Sequence, residues 1–323
     1  HFVTEHKMNH AQKKAIEKEG ITLYEQFYVE KETDFGATIR IYADRTQVNT
    51  VCLMDGTLPL AEDEIAVDRM FADNHKLQVG DQLTAGGRSY RITGLVALPD
   101  YSCLFEKNSD SMFDAVLFGV GIVSEQGLKS FDSKELYQCY AWKYETEPST
   151  EAEEKKAAEE LMKVINKEVD LKDFVPRYEN QAICFTGEDM GSDRAMVTIL
   201  LYMVIAILAF VFAITTANTI EKEANVIGTL RASGYTRGEL VRHYMAMPCI
   251  ITVISALIGN VLGYTVMKKI CAAMYYHSYS LPTYETVWNA DAFLSTTVVP
   301  VILMLLINFL ILHRQMKLSP LQF

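Results

Sequence analysis

The sequence lacks the phosphate-binding loop that nucleotide-hydrolysing enzymes commonly use. The Walker A pattern Gly-x-x-x-x-Gly-Lys-Ser/Thr, whose backbone amides surround nucleotide phosphates, does not occur anywhere in the 323 residues. Any ATP used together with this chain must therefore be bound and hydrolysed by another subunit. We predict a non-catalytic chain that needs no cofactor.

Patterns for metal and redox chemistry are also missing. The zinc-protease order His-Glu-x-x-His is absent, and His6 and His10, four residues apart, lack a third ligand. An acidic cluster lacks the spaced oxygen ligands and the glycine of a calcium loop, and we interpret it as a solvated turn and helix start. It consists of Glu62, Asp63, Glu64 and Asp68. No Cys-x-x-Cys pair exists either, so we predict no metal site.

Basic residues are few. The 30 Lys and Arg are outnumbered by 41 Asp and Glu, which leaves a net charge of −11 and no basic face to neutralise the phosphates of a nucleic acid. The charge is unevenly distributed: residues 1–200 hold 22 Lys and Arg against 36 Asp and Glu, and the remainder holds 8 against 5. An acidic globular part is thus followed by a weakly basic, very apolar part, which excludes a wholly soluble enzyme.

Three long apolar runs lie in the second part. Residues 195–217 and 245–267 are uncharged runs of 23 residues each, and residues 292–312 form a third of 21. Each is long enough, at about 1.5 Å per residue, to cross a hydrocarbon core of about 30 Å as a helix. We predict three transmembrane helices, the third bent at Pro300. None contains Asp, Glu, Lys, Arg or His, so an ion- or proton-coupled transporter would lack its relay.

Positive charge near the ends of these runs predicts the orientation in the membrane. Six Lys or Arg lie in the connection 218–244 and the C-terminal tail, and two lie in the connection 268–291. The six are Lys222, Arg231, Arg237, Arg242, Arg314 and Lys317, and the two are Lys268 and Lys269. We expect the first connection and the C-terminus in the cytoplasm and residues 1–193 outside. An external domain followed by three crossings needs an earlier crossing, so we expect a fragment without the preceding helix.

Residues 1–193 show a mixed pattern of helices and strands. A polar helix is predicted near 8–19, ending at Gly20, and a charged helix is predicted from a Thr150–Glu153 capping box to about Lys167. Strand-like stretches are 22–29, 38–42, 51–54, 89–96 and 115–123. The four cysteines of this part, Cys52, Cys103, Cys139 and Cys184, could be paired or free. The predicted fold is an α+β extracytoplasmic domain followed by an all-α membrane domain, 194–323.

Residues 54–101 carry a family resemblance. A Gly-x-x-Pro motif precedes a Glu-Ile pair at which a strand is predicted to begin. A Leu-x-x-Gly-Asp turn then follows a small helix, and the next strand continues to a glycine. The matching positions are Gly56, Pro59, Glu64, Ile65, Gly80, Asp81 and Gly94. This stretch resembles the periplasmic core domain of MacB-like and FtsX-like ABC transporter permeases.

The connection 218–244 predicts a helix, a tight turn and a second helix. Val226, Ile227 and Leu230 are predicted on one side of a helical extension of the first span, which Gly234 ends. Thr236 and Glu239 form a capping box that restarts a helix into the second span. The alternative is a solvated basic loop that only fixes the topology.

This connection resembles the signature of FtsX-like permeases, a Glu-rich start followed by Ile-Gly-x-Leu-Arg-Ala-x-Gly and a later acidic residue. The matching residues are Glu221, Glu223, Ile227, Gly228, Leu230, Arg231, Ala232, Gly234 and Glu239. In that family the segment docks the cytosolic nucleotide-binding subunit. The resemblance therefore implies that residues 218–244, Tyr235 included, contact a cytosolic ABC ATPase; we name them the coupling segment.

The second span carries small residues at four-residue spacing. Ser255, Gly259 and Gly263 form a face on which another helix can approach closely, and a second permease subunit or half is the predicted partner. The alternative is that this face contacts lipid.

The resemblance implies a permease subunit, or half of one, in the cytoplasmic membrane of a bacterium. ATP-driven motion would pass through the coupling segment to the external domain, for export or extrusion of a lipid, a lipoprotein or a peptide. Implied partners are the ATPase, a second permease, membrane lipids and an external partner or substrate. The alternative function is a signalling or scaffold protein that controls an external partner, such as a cell-wall hydrolase, without moving cargo.

Overall fold

Alternating apolar residues in the first part of the chain form two β-sheets, and the apolar runs of the second part form long helices. The computed structural model describes residues 1–315. It divides into two units: His1–Asp189 with Met274–Tyr284, and Met190–Ala273 with the chain from Glu285 onward. The predicted fold class, a mixed α/β part followed by three long apolar helices, is confirmed. The predicted tail beyond Gln315, including Lys317, lies outside the described residues.

The first unit holds all the strands that the described residues form. They are β1 (Phe2–Thr4), β2 (Ile21–Glu25), β3 (Tyr28–Glu32), β4 (Thr38–Ala43), β5 (Cys52–Gly56), β6 (Glu64–Asp68), β7 (Gln82–Ala85), β8 (Arg88–Ala97), β9 (Phe118–Val123), β10 (Gln138–Tyr144) and β11 (Leu171–Phe174). Its helices are α1 (His10–Glu17), α2 (Arg69–His75), α3 (Glu125–Lys129) and α4 (Glu151–Glu168), with a 3₁₀ turn at Arg177–Glu179.

The smaller sheet has four antiparallel strands in the order β11-β1-β10-β2. Its core includes Phe2, Tyr140 and, from α1 and α4, Ile16 and Ile165, all fully buried. The buried hydroxyl of Tyr140 accepts a hydrogen bond of 3.0 Å from the backbone N–H of Met8, so this large ring leaves no polar atom unsatisfied.

The larger sheet has seven strands, in the order β3-β4-β9-β6-β8-β5, with β7 added on β8. The pairs β4–β9 and β6–β8 are parallel, and all six residues of β9 are buried. Gly119 of β9 makes room for α2, because a Cβ built on it would lie 2.4 Å from the ring of Phe71. Of the buried strand predicted at 115–123, Phe118–Val123 is confirmed, whereas Val116 and Leu117 are exposed in the turn before it. The strand needs a small residue at Gly119.

The remaining helices lie mostly in the second unit, and two of them extend into the first. They are α5 (Gln181–Lys222), α6 (Ala224–Ala232), α7 (Arg237–Leu262), α8 (Lys268–Ser278), α9 (Ala290–Phe293) and α10 (Val299–Gln315). A π-helical segment, Gly263–Met267, joins α7 to α8, and a second one, Leu294–Val298, joins α9 to α10. Three continuous helices long and apolar enough to cross a membrane result: Gln181–Lys222, Arg237–Ser278 and Ala290–Arg314.

The first long helix begins fourteen residues before its predicted span. At 42 residues it is about 63 Å long, twice the thickness of a hydrocarbon core. Its first turns contain Gly187, Gly191 and several charged residues, which weaken the helical signal in the sequence although the structure keeps them helical.

Pro300 lies two residues after the second π segment, Leu294–Val298. Proline lacks a backbone N–H and crowds the carbonyl four residues earlier, so it does not fit regular α-helical bonding. Here the preceding turn is wider: the N–H of Val299 bonds to the carbonyl of Leu294, five residues back. We predicted a bend at Pro300; the structure shows a π segment shortly before this proline, and the bend itself stays a prediction.

Candidate functional site

The coupling segment folds as a helix, a tight turn and a helix. Helix α6 ends in a Schellman motif, in which Gly234 N–H donates to Arg231 O (3.2 Å) and Tyr235 N–H donates to Leu230 O (3.1 Å). The motif needs a left-handed residue, and Gly234 has a φ of +100°. The predicted end of the first helix at this glycine is confirmed.

The second helix of the coupling segment begins with the predicted capping box. The Thr236 hydroxyl accepts from Glu239 N–H at 3.3 Å, and the Glu239 carboxylate accepts from Thr236 N–H at 2.8 Å. Each side chain satisfies an otherwise free backbone donor, so the chain reverses direction within a few residues without losing hydrogen bonds.

A small apolar core holds the two arms of the coupling segment together. Ile227 of α6 is fully buried against Leu240 and Val241 of α7, and Leu230 packs on the same cluster, which Ile220 and Leu312 complete. Val226 was predicted on this side, but it is 58% exposed. Successive helical residues lie about 100° apart, so a helix that buries Ile227 and Leu230 turns Val226 outward.

The other predicted coupling residues lie on the surface of this hairpin. Gly228 and Arg231 are half-buried, and Tyr235 is 51% exposed. The remaining exposed members are Glu221, Glu223, Ala232, Gly234 and Glu239. The hydroxyl of Tyr244 donates to the Glu223 carboxylate, which joins the start of α6 to α7. The hairpin therefore presents Val226 and Tyr235, two exposed apolar side chains, beside basic residues.

The small-residue face of the second long helix has no neighbour among the described residues. Ser255, Gly259 and Gly263 are all exposed, and a Cβ added to either glycine would meet no atom within 4 Å in the described part of the chain. The face is therefore open to lipid or to another helix. Gly263 is also the first residue of the π segment Gly263–Met267.

Polar contacts between the long helices were not predicted. The amide of Asn260 in α7 donates to the Thr297 hydroxyl at 3.1 Å, and the Tyr202 hydroxyl in α5 donates to Ser295 O at 2.9 Å. Such bonds hold apolar helices in one register where water is absent. A polar asparagine in an otherwise largely apolar run is the sequence signal that could have revealed the contact of Asn260.

A cleft of about 840 Å³ opens in the first unit, lined by residues of both sheets. Aromatic rings, among them Tyr28, Tyr42 and Trp142, form much of its wall. Asp100 lies on its lining and binds Arg45 through two hydrogen bonds of 2.6 and 3.1 Å. Asn49, which has a φ of +51°, donates to the same carboxylate at 3.2 Å. This buried ion pair and its amide partner were not recognised from the sequence, because their spacing matches no motif.

The acidic cluster is only partly as predicted. Asp68 does begin helix α2, where its carboxylate accepts from the N–H groups of Met70 (2.9 Å) and Phe71 (3.2 Å). It is not solvated, however: Asp68 is fully buried, and its second oxygen accepts a 2.5 Å hydrogen bond from the Ser280 hydroxyl. Burial raises the pKa of Asp68 to about 6. The prediction failed because Ser280, which covers Asp68, is 212 positions away.

The cysteines of the first unit are free. Cys103 and Cys139 are buried, and burial raises the pKa of each thiol to about 11; Cys52 and Cys184 are half-buried. Of the two possibilities left open by the sequence, the unpaired one is correct.

The described residues combine an α+β domain with three helices long and apolar enough to cross a membrane, and a helix-turn-helix lies between the first two of these helices. Residues 198–320 match the family model of the FtsX-like permease C-terminal domain. Over these residues the membrane part of the chain matches the FtsX-like permease family, as its resemblance predicted.

Two solved structures align with the α+β part at low identity. The extracellular domain of the noncanonic ABC-type transporter YknZ from Gram-positive bacteria is 13% identical, with 51% of this chain and 89% of that chain covered and a TM-score of 0.30. The periplasmic region of MacB from Actinobacillus actinomycetemcomitans is 12% identical, with coverages of 52% and 84% and a TM-score of 0.30. No curated protein matches the chain significantly.

Proposed function

We propose that this chain is the permease subunit, or half of one, of a bacterial ABC transporter, and that it passes the motion of a cytosolic ATPase to an external domain. The observation that carries the proposal is the coupling segment: a hairpin with its own apolar core, inside the part of the chain that matches the FtsX-like family. A loop that only fixed topology would need neither the Schellman motif nor the capping box.

The surface of the hairpin suits a protein partner. Val226 and Tyr235 are exposed apolar side chains on a segment that also carries Arg231 and Arg237. Aromatic and arginine side chains are enriched where proteins bind one another. The ATPase subunit is the proposed partner on this surface.

The charge distribution supports the proposed orientation. The coupling segment is the most basic connection and faces the cytoplasm, and the acidic α+β part lies outside. The cleft beside Asp100 is the proposed position for an external partner or for a cargo of the lipid, lipoprotein or peptide type. A second permease subunit is proposed on the open face at Ser255, Gly259 and Gly263.

Co-purification of the ATPase tests the proposal directly. In the full-length permease, Val226→Asp combined with Tyr235→Asp should abolish recovery of the ATPase while membrane insertion is unchanged, because both side chains are exposed and lie outside the apolar core of the hairpin. Asn225→Asp adds one of these two negative charges at a neighbouring exposed position and is the control for charge alone. Unchanged recovery with the double variant would contradict the proposed contact surface.

A further inference from the structure

The connection between the second and third long helices is folded into the α+β unit. Residues Met274–Tyr284, which we name the strap, belong to the first unit although the chain on both sides belongs to the second. Tyr279 and Ser280 are buried at its centre, and Tyr275 and Leu281 pack on the core of the larger sheet. A connection that only joined two membrane helices would be solvated.

Asp68, the last residue of β6, and Arg69, the first residue of α2, hold the strap. Arg69 donates to the carbonyls of Tyr276 and Tyr279, each at 2.8 Å, and its guanidinium lies over the Tyr276 ring at 5.3 Å. Asp68 accepts the 2.5 Å hydrogen bond from Ser280. The contacts are therefore to backbone and side chain alike, which fixes the course of the strap as well as its position.

The strap is held at the middle of the larger sheet. Strand β6, which ends at Asp68, lies between β9 and β8 in the strand order, so a force on the strap would reach central strands instead of an edge loop. Ser102 extends the attachment: its carbonyl accepts from Ser280 N–H at 2.9 Å, and its hydroxyl donates to Ala182 O at 2.8 Å, at the beginning of α5. The Tyr279 hydroxyl donates to Asp189 of α5 at 2.6 Å.

We propose that the strap is a second mechanical link, through which the second and third membrane helices act on the external domain alongside the first helix. The proposal rests on the proposed function as a permease. Without the strap contacts, the described membrane helices would act on the domain through the start of α5. With these contacts, the chain connects the membrane helices to the α+β unit at three places: the start of α5 and the two ends of the strap. Arg69 is the positioning residue that holds the strap.

Loss of Arg69 tests the link in the assembled transporter. The full-length permease is purified with its ATPase in lipid nanodiscs, and hydrogen exchange of β6, α2 and the strap is measured with and without Mg-ATP. We expect Arg69→Ala to bind the ATPase and hydrolyse ATP as the wild type does, with a severalfold loss of the ATP-dependent change in exchange in the external domain. If the wild type itself does not retain an ATPase, the proposed function fails, and that outcome is distinct from failure of the strap.

A disulfide provides a rescue that does not depend on Arg69. The Cys52 sulfur lies 3.8 Å from the Thr283 hydroxyl oxygen, so Thr283→Cys places a second sulfur next to a native free thiol. In the Arg69→Ala background, oxidation of this pair should restore the ATP-dependent change, and reduction should remove it again. Thr283→Ser in the same background cannot form the bond and is the matched control.

Two results would overturn the proposal. An ATP-dependent change in Arg69→Ala equal to that of the wild type would show that the strap carries no motion. A loss that the disulfide does not restore would show that Arg69 supports only the fold of the domain. Restoration under oxidising conditions alone supports the link.

Discussion

The Ser280 hydroxyl donates a 2.5 Å hydrogen bond to the buried carboxylate of Asp68, and 212 positions of sequence separate the two residues. One residue begins a short helix in the α+β unit, and the other lies between two apolar helices. Their contact makes the connection between those helices part of the folded α+β unit. It also places a titratable group where water cannot reach it.

Asp68 should make the stability of the α+β unit depend on pH. Its pKa in the folded protein, about 6, lies above the ordinary value of 3.8 for an aspartate, so the folded state holds this proton more tightly than the unfolded state does. Stability from this group is therefore full below about pH 4, falls as the pH rises to about 6 and stays lower above it, by on the order of 3 kcal/mol.

Asp68→Asn removes this dependence, because asparagine does not titrate and still caps a helix. Thermal unfolding of the full-length protein from pH 4 to pH 8 should show the variant gaining stability relative to the wild type as the pH rises. Curves that stay parallel over that range would contradict the assignment to Asp68.

Gly234→Val should disorder the turn of the coupling segment. The φ of +100° at this position is unfavourable for a β-branched residue, and we expect a cost of about 1–2 kcal/mol. Hydrogen exchange across 224–240 should accelerate and ATPase recovery should fall. Gly228→Ala is the control, because a Cβ at this position meets no atom within 4 Å in the described chain and alanine favours the helix. Equal hydrogen exchange in the two variants would argue against a strained turn.

Gly259→Leu should weaken association with a second permease. A bulky side chain on the open face separates two helix backbones that would otherwise pack closely. Crosslinking between permease subunits in native membranes measures the effect. Val261→Leu, at an exposed position on another side of the helix, is the control; equal yields for Gly259→Leu and the wild type would mean that the glycines contact lipid.

Accessibility of single cysteines tests the orientation. Ser109 is exposed in the first unit and Ser233 is exposed in the coupling segment. In a background without the native cysteines, a membrane-impermeant maleimide should label Ser109→Cys in intact cells and Ser233→Cys only after the membrane is opened. The reverse pattern would refute the topology inferred from the basic residues.

Much of this protein follows from local patterns in the sequence. Uncharged runs of more than twenty residues determine three long helices, because the backbone in an apolar solvent must satisfy its hydrogen bonds within the segment. Gly234 and the Thr236–Glu239 pair determine the turn of the coupling segment, because a left-handed residue and a capping box act within a few positions of each other.

Tertiary structure decided what depends on residues far apart. Asp68, read from its neighbours alone, is one of four acidic residues on a solvated turn, and only Ser280 and the packed sheet make it buried and raise its pKa. Val226 and Ile227 are equally apolar, yet the position of α7 decides which of them is exposed. The strap and the Arg45–Asp100 pair have the same origin: burial and long-range hydrogen bonds form only when the whole chain has folded, so no local spacing encodes them.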